Sequence, residues 1–305
     1  ANVDECLRAQ STVSVREGSS TLEPETNTTY SYGFVFQPQL WDRRFGDLTV
    51  TVDYWNIQQE NVIGIFGDDN HLAYDYLLRT QGSFNPAVIR EAPSADDIAD
   101  FAGTGLDAVG EVIEVQDTYQ NLLPRQIEGV DVTVLYDIDD TPLGDFRVSV
   151  TAAHLITFDQ EPSPEAQAII DAQDAGEIFS GFVVDGAAGL LRQDGNPEWR
   201  ATTSITWRNG NWGAGLFGRY TSSVLDTGAT LGDGTQFEVD EWYYGNVYVQ
   251  YTFDREDVLD NTRVRVGARN FTNEAPPLAD STFNYLGTLH SARGRFLYAS
   301  VRKSF

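Results

Sequence analysis

Three hundred and five residues, 41% hydrophobic, 12% aromatic and 22% charged, suffice for one large core or two modest ones. The balance of 20 Lys+Arg against 46 Asp+Glu, a net charge of −26, excludes a nucleic-acid binder, and a single cysteine excludes a disulfide scaffold or a zinc knuckle. No run approaches the roughly 18 apolar residues of a membrane-spanning helix, and 27 glycines with 17 Phe, 14 Tyr and 6 Trp do not suit a helical bundle, which leaves a β-rich chain, soluble or barrel-forming in a membrane.

The chain opens Ala1-Asn2-Val3-Asp4-Glu5-Cys6, with neither a basic n-region nor an apolar h-region, and it contains no methionine. This start reads as the middle of a loop, and the expectation is a processed or fragmentary chain. Cys6 then has two readings, a half-disulfide whose partner lies on a missing segment or an isolated buried thiol.

Period-two alternation recurs from there to the end and predicts nine strands. The first, 30–36, puts Tyr30, Tyr32, Phe34 and Phe36 on one face, and the second, 48–54, sets Leu48, Val50, Val52 and Tyr54 against Thr49, Thr51 and Asp53. Segments 130–138, 146–150, 199–207, 212–220, 247–253, 263–269 and 297–305 repeat the pattern. Short links (Pro38–Asp47, Asp139–Asp145, Asn209–Asn211, Asp254–Asn261) alternate with long ones (about 62–124, 159–197, 227–238 and 273–292). That is the arrangement of outer-membrane barrels, with short periplasmic turns and long extracellular loops, and a compact soluble domain seldom carries a structureless 60-residue loop. Phe36, Phe146, Trp207, Trp212 and Phe253 gather at strand ends beside the short turns, as an interfacial girdle does. Arg147, Arg200, Arg219, Arg263, Arg265, Arg269 and Arg302 all fall on the polar side of their strands, where a wet or plugged lumen tolerates them.

The acidity is localised. Residues 62–124 hold eleven carboxylates against Arg79 and Arg90, and residues 159–198 hold nine against Arg192. Each stretch carries a helix signal: Ser94-x-x-Asp97 is a capping pair opening a turn that ends near Gly103, and Ser163-Pro164-Glu165 is an N-cap with a first-position proline, stopped at Gly176.

Catalytic constellations are not evident. His71, His154 and His290 are scattered, and neither a G-x-S-x-G nor an H-E-x-x-H motif occurs. The pairs Asp68/Asp69 and Asp139/Asp140 read as solvated loop or turn rather than acid–base couples, and Asp68, Asp69 and His71 form only a weak cation signal without calcium-loop spacing. The expectation is a protein that is not an enzyme, with no cofactor and no metal.

Leu22-Glu23-Pro24-Glu25-Thr26, Tyr32-Gly33-Phe34-Val35-Phe36-Gln37-Pro38 and Val52-Asp53-Tyr54-Trp55-Asn56-Ile57 resemble the "LxPE … GxxxxP … VDYxxI" stretch of TonB-dependent outer-membrane receptors. Glu128-Gly129-Val130-Asp131 is similar to their strand-opening "GVD/GVE", and Val266–Pro277 to the penultimate "GxxNLxNExPP". Gly294-Arg295-x-x-Tyr298, followed by Phe305, resembles the terminal "GRxxY … F", although Lys303 stands where the family more often has an apolar residue.

The resemblance implies an all-β, antiparallel transmembrane barrel of 22 strands, closed by an N-terminal plug and energised through TonB in a Gram-negative outer membrane. The nine strands here would be its last nine, incomplete on their own, with 1–27 part of the preceding extracellular loop and 28–305 the C-terminal strands and acidic loops. Open edges in lipid leave backbone groups unpaired. The plug and first strands are therefore expected on the same polypeptide or a separate chain, together with the TonB complex, lipid and lipopolysaccharide as partners. Tyr298 and Phe305 would form the barrel-assembly signal, and Cys6 would pair with the missing segment. Substrate contacts would come from Trp242, Tyr244, Tyr74, Tyr76, Asp68, Asp69 and His290, with Trp242 and Tyr244 inward by parity and Tyr243 and Tyr220 toward lipid. Aromatic platforms beside carboxylates favour an oligosaccharide over an anionic ferric siderophore. The rival classes are a soluble β-sandwich binding module and a passive porin.

Overall fold

The computed structural model describes residues 13–38, 45–178, 183–193, 195–231, 235–255, 257–280 and 284–304. All nine alternating segments form strands: β1 (Thr26–Phe36), β2 (Asp47–Glu60), β3 (Arg125–Thr141), β4 (Gly144–Gln160), β5 (Trp199–Asn209), β6 (Trp212–Thr221), β7 (Trp242–Phe253), β8 (Thr262–Arg269) and β9 (Phe296–Lys303). They lie side by side in chain order from β1 to β9 as one open sheet, with the short strand Ala188–Gly189 added to β4. From β4 to β9 every neighbouring pair is antiparallel.

Several strands outrun their alternating cores, furthest toward the long links: β2 continues to Glu60, β3 begins at Arg125, β4 continues to Gln160 and β7 begins at Trp242. Strict alternation is needed only across the lipid-facing band of a barrel, about 25 Å tall, so strands that rise above it lose the pattern without losing the ladder.

Register sorts the side chains into rows. Val148, Ile205, Leu216, Val247, Ala268 and Leu297 face one another across six strands. One residue along each strand, Arg147, Thr206, Gly215, Tyr248, Gly267 and Tyr298 form a row on the opposite face. The apolar face is uncovered: Val266 is 54% exposed and Leu297 72%. A soluble sandwich buries such a face under a second sheet about 10 Å away. The other sheets among the described residues have three, two and two strands, too small for that task. The soluble β-sandwich therefore lacks its second layer.

The hairpin between β3 and β4 depends on one glycine. Gly144 has φ +101°, and a Cβ there would lie 2.2 Å from the Arg208 carbonyl oxygen, so only glycine fits both the backbone conformation and the approach of β5.

The stretch between β2 and β3 holds the helix that the Ser94/Asp97 signal predicts, and more structure besides. It belongs to a compact unit of residues up to 28, 58–125 and 159–189. That unit contains helices α1 (Asp68–Thr80), α2 (Ala95–Asp100) and α3 (Pro164–Asp174). It also has a sheet in which Val112–Gln116 pairs with Val13–Val15 and Val88–Arg90, and a ladder of Val62–Gly64 with Gln120–Leu122. Helix α2 starts with the full Ser94/Asp97 capping box, and α3 with Ser163 accepting the Ala166 N–H ahead of Pro164, as their signals predict. The core joins Phe66, Leu77, Ala166, Ile169, Ala172 and Ile178.

The second unit holds residues 29–57, 126–158 and 190–305. Beside the long strands it carries the hairpin Val224–Thr230/Gln236–Val239, whose Val224 and Val239 bury against Ala279 and Leu289.

Candidate functional site

The polar face of the sheet gathers chemistry at both ends of its strands. At the end nearest the long links, β6 and β7 place Thr221 opposite Trp242 and Arg219 opposite Tyr244, so these four share one face, while Tyr220 and Tyr243 pair on the other. The Trp242 and Tyr244 rings are 4.6 Å apart, and the His290 ring meets Trp242 edge-on at 5.4 Å. The structure thus brings together three of the seven predicted substrate residues.

Their exposure differs from the expectation. Trp242 is only 3% exposed and donates its indole N–H to the Ala275 carbonyl oxygen at 3.0 Å. It anchors the 270–295 link rather than offering an open platform, because the β7 strand begins under that link. His290 is 5% exposed, and neither ring nitrogen has a hydrogen-bond partner. Burial first, and the Arg219 charge second, hold its imidazole below the ordinary value of 6.5 and disfavour its protonation. The Thr221 hydroxyl is likewise buried and unpartnered. Two buried polar groups without partners near an arginine call for a polar ligand or a water.

The other four candidates all lie on α1, not in a solvated loop. Asp68 and Asp69 occupy its first turn, where the helix dipole favours anions. Asp68 accepts the Ser14 hydroxyl, and His71 Nε2 sits 3.4 Å from Asp117, so the predicted Asp68/Asp69/His71 cation signal does not assemble. Among the described residues no group of three metal-ligating side chains is gathered. Tyr74 packs against the core of its unit, whereas Tyr76, two positions on, is exposed.

Sequence reasoning missed two features. Asp75 and Asp117, counted among the loop acids, are fully buried. Asp75 accepts from Arg79, Arg90 and the Asn85 N–H at 2.9–3.0 Å, and Asp117 accepts the N–H groups of Phe66 and Gly67 ahead of α1. At the short-turn end of the polar face, Arg208 lies one residue beyond the alternating core of β5 and joins Arg147, Arg263 and Arg265 around a cleft of about 250 Å³. The arginine parity pointed to this cleft but did not reveal that the four converge.

Tyr298 lies opposite Gly267, its ring within 2.7 Å of where a Cβ would project. Cys6 and Phe305 lie outside the described residues.

A family model described as TonB dependent receptor-like, beta-barrel, matches residues 7–271. Among solved structures, the siderophore receptor PirA from Acinetobacter baumannii is similar over 95% of this chain and 33% of its own, at 13% identity and a TM-score of 0.53. The pyoverdine outer membrane receptor FpvA from Pseudomonas aeruginosa matches over 93% of this chain and 30% of its own, at 10% identity and a TM-score of 0.51. The FrpB iron transporter from Neisseria meningitidis matches over 94% and 32%, at 11% identity and a TM-score of 0.50. No curated protein sequence matches. At these identities the likeness shows the fold, and this chain spans about a third of each structure's length.

Proposed function

The chain belongs to the family of TonB-dependent receptor β-barrels, and from that premise we propose that it supplies the last nine barrel strands and extracellular loops of an outer-membrane receptor that imports a ferric siderophore or similar anionic metal chelate. The observation that carries this reading is the charge of the polar face, where Arg200, Arg219, Arg263, Arg265, Arg269 and Arg302 share one side of the sheet. A guanidinium-lined wall attracts an anionic chelate and orients its oxygens. The siderophore receptors among the similar structures support the same class.

The oligosaccharide expectation loses two of its aromatic platforms and keeps only Tyr76 fully open. A sugar-binding platform needs an open ring face, and Trp242 is buried while Tyr74 packs into its core.

In this reading 1–27 belongs to the preceding extracellular loop, and the remaining strands and plug lie outside the 305 residues. TonB acts through that plug, and the mechanism is binding, plug displacement and release, without covalent chemistry. Lipid and lipopolysaccharide surround the apolar face. Trp242, Tyr244 and His290 position the outer end of the wall, and Arg219 contacts the ligand.

Uptake of radiolabelled ferric chelates by iron-limited cells tests the proposal. Arg219→Ala is expected to lower uptake about ten- to a hundredfold, the effect of losing one charge-assisted contact of roughly 1.5–3 kcal/mol. Uptake of neutral oligosaccharides alone would reject the chelate, and steady ion conductance in planar bilayers would assign a passive porin.

A further inference from the structure

We propose that a notch in the apolar face of the sheet, between β6 and β7, holds one acyl chain of a phospholipid whose headgroup carries an ammonium. Of the in-register pairs that β6 and β7 turn to that face, from Trp212/Tyr251 to Tyr220/Tyr243, only Gly218/Gly245 has no side chain on either strand. Tyr220 and Tyr243 flank it toward the long links, Leu216 and Val247 toward the short turns, and Thr203 lies beside Gly218 on β5. Phe271 bounds the other side, its backbone N–H donating to the Gly245 carbonyl oxygen at 2.9 Å. The space between them is about 340 Å³, and its lining is almost wholly apolar.

The two glycines differ in what accounts for them. A Cβ at Gly245 would meet the Phe271 ring at 2.6 Å, so the chain itself covers that position. A Cβ at Gly218 would meet nothing within 4 Å, and Gly218 is not among the glycines of positive φ, so neither packing nor backbone conformation requires a glycine there. Glycine inside a strand weakens it and marks the close approach of a ligand or another backbone. At Gly218 none of the described residues makes that approach.

Position and charge select the occupant. Tyr220, Tyr243 and Trp199 mark the long-link end of the apolar face, the level at which barrel aromatics meet lipid headgroups. There the Tyr220 hydroxyl donates to Glu241 at 2.8 Å, and Glu198 lies 3.2 Å from Nε2 of His154, whose ring stacks on Trp199. Arg200 and Arg219 face the other side of the sheet. An ammonium above the notch therefore meets two carboxylates, whereas a purely anionic headgroup is repelled by them. A protein partner needs a patch of about 1,000 Å² or more, and this hollow spans one glycine pair and its neighbours. The inference takes from the receptor reading only that the apolar face meets lipid.

Native mass spectrometry tests this on the full-length protein that carries the chain, extracted from outer membranes into detergent doped with equal amounts of phosphatidylethanolamine and phosphatidylglycerol. The expected result is one phosphatidylethanolamine held per protein after other lipid is stripped away. Gly218→Leu fills the notch and should lower that occupancy about tenfold, the effect of displacing about two buried methylenes. Gly218→Ala should act in the same direction, and Val266→Leu, elsewhere on the same face, should leave occupancy unchanged. Replacing both Glu198 and Glu241 by Gln should lower the preference for phosphatidylethanolamine about threefold, since exposed ion pairs are weak. Equal retention with and without Gly218→Leu overturns the proposal, as does the absence of retained lipid from protein shown to be folded by heat-modifiable gel mobility. A retained lipopolysaccharide released by EDTA would replace the ammonium with a cation-bridged phosphate, and a dimer lost on Gly218→Leu would put a second copy in the notch. Transport plays no part in the readout, so a receptor importing another substrate still passes or fails this test, whereas protein that stays monodisperse without detergent would reject the barrel placement itself.

Discussion

The long sheet and the compact unit built from the links around it are stabilised by opposite means. Sheet strands from β4 to β9 rely on an unbroken antiparallel ladder, and their apolar side chains remain exposed on one face. The link unit has short strands and helices, a small apolar core around Ile169, and buried polar hubs at Asp75, Asp117 and Asn70. Asn70 alone joins Phe66 to Asp185 through 2.6, 2.9 and 3.1 Å hydrogen bonds. A membrane supplies the apolar contacts that the sheet lacks, whereas a water-facing loop unit of this size must make its own and compensates with polar hubs for a core that is small.

The largest effect expected from this contrast is at Asp75. Asp75→Ala leaves Arg79 and Arg90 without their shared carboxylate and the Asn85 N–H without an acceptor. Both arginines are partly solvated, which places the loss near the lower end of the range for a broken buried pair, about 3 kcal/mol. Hydrogen exchange should show amides across α1 and 85–90 losing protection while β5–β8 keep theirs. Equal loss in both regions would mean that the two are one cooperative unit and the contrast is false.

A matched pair of isoleucines sharpens the comparison. Ile169 is 0% exposed in the core of the link unit, and Ile205 is 37% exposed in the apolar row of the sheet. Ile169→Ala should cost the link unit about 2–4 kcal/mol in transfer and cavity terms. Ile205→Ala in lipid or detergent should cost about 0.5 kcal/mol, as surface changes do, because its neighbours outside the sheet are apolar in either case. Denaturant midpoints from exchange and from gel mobility separate the two, and a larger loss at Ile205 would show that the sheet face is covered by protein.

The sheet was legible because each of its strands carries its own instruction. Alternation in 199–207 or 247–253 states the strand, its faces and, with the short turns, its neighbours. Helices α2 and α3 were legible for the same reason, since Ser94, Asp97, Ser163 and Pro164 are local signals. Helix α1 was not, because its N-cap is Gly67, which has no side-chain cap, and the groups that secure its start are Asp117 and Asp185, 50 and 115 residues away. The candidate site divides along the same line. Parity placed Trp242 and Tyr244 on the face of Arg219, but the burial of Trp242 depends on Ala275 and His290, which reach it from a separate link.

The smallest effect concerns pH and separates the two regions most cleanly. His71 is half-buried between Asn85 and Asp117: Asn85 Nδ2 donates toward Nδ1 at 3.2 Å, which assigns the proton to Nε2, facing Asp117 at 3.4 Å. Burial lowers its folded pKa below 6.5, and the opposing pull of Asp117 does not offset it. The unfolded link unit therefore takes up the proton first, so the contribution is complete above pH 6.5 and is lost as pH falls from there toward the folded value, with no further change below it. Protonation at Nδ1 also removes the acceptor used by Asn85. Exchange protection around 66–85 should be flat from pH 8 to 7 and weaken modestly by pH 5.5, and His71→Gln should remove that dependence. The short-turn halves of β5–β7 (203–209, 212–217 and 246–253) provide the internal reference, because His154 and His290 meet these strands at Trp199 and Trp242, near their other ends. A parallel decline there would assign the effect to the whole chain and not to the His71–Asp117 contact.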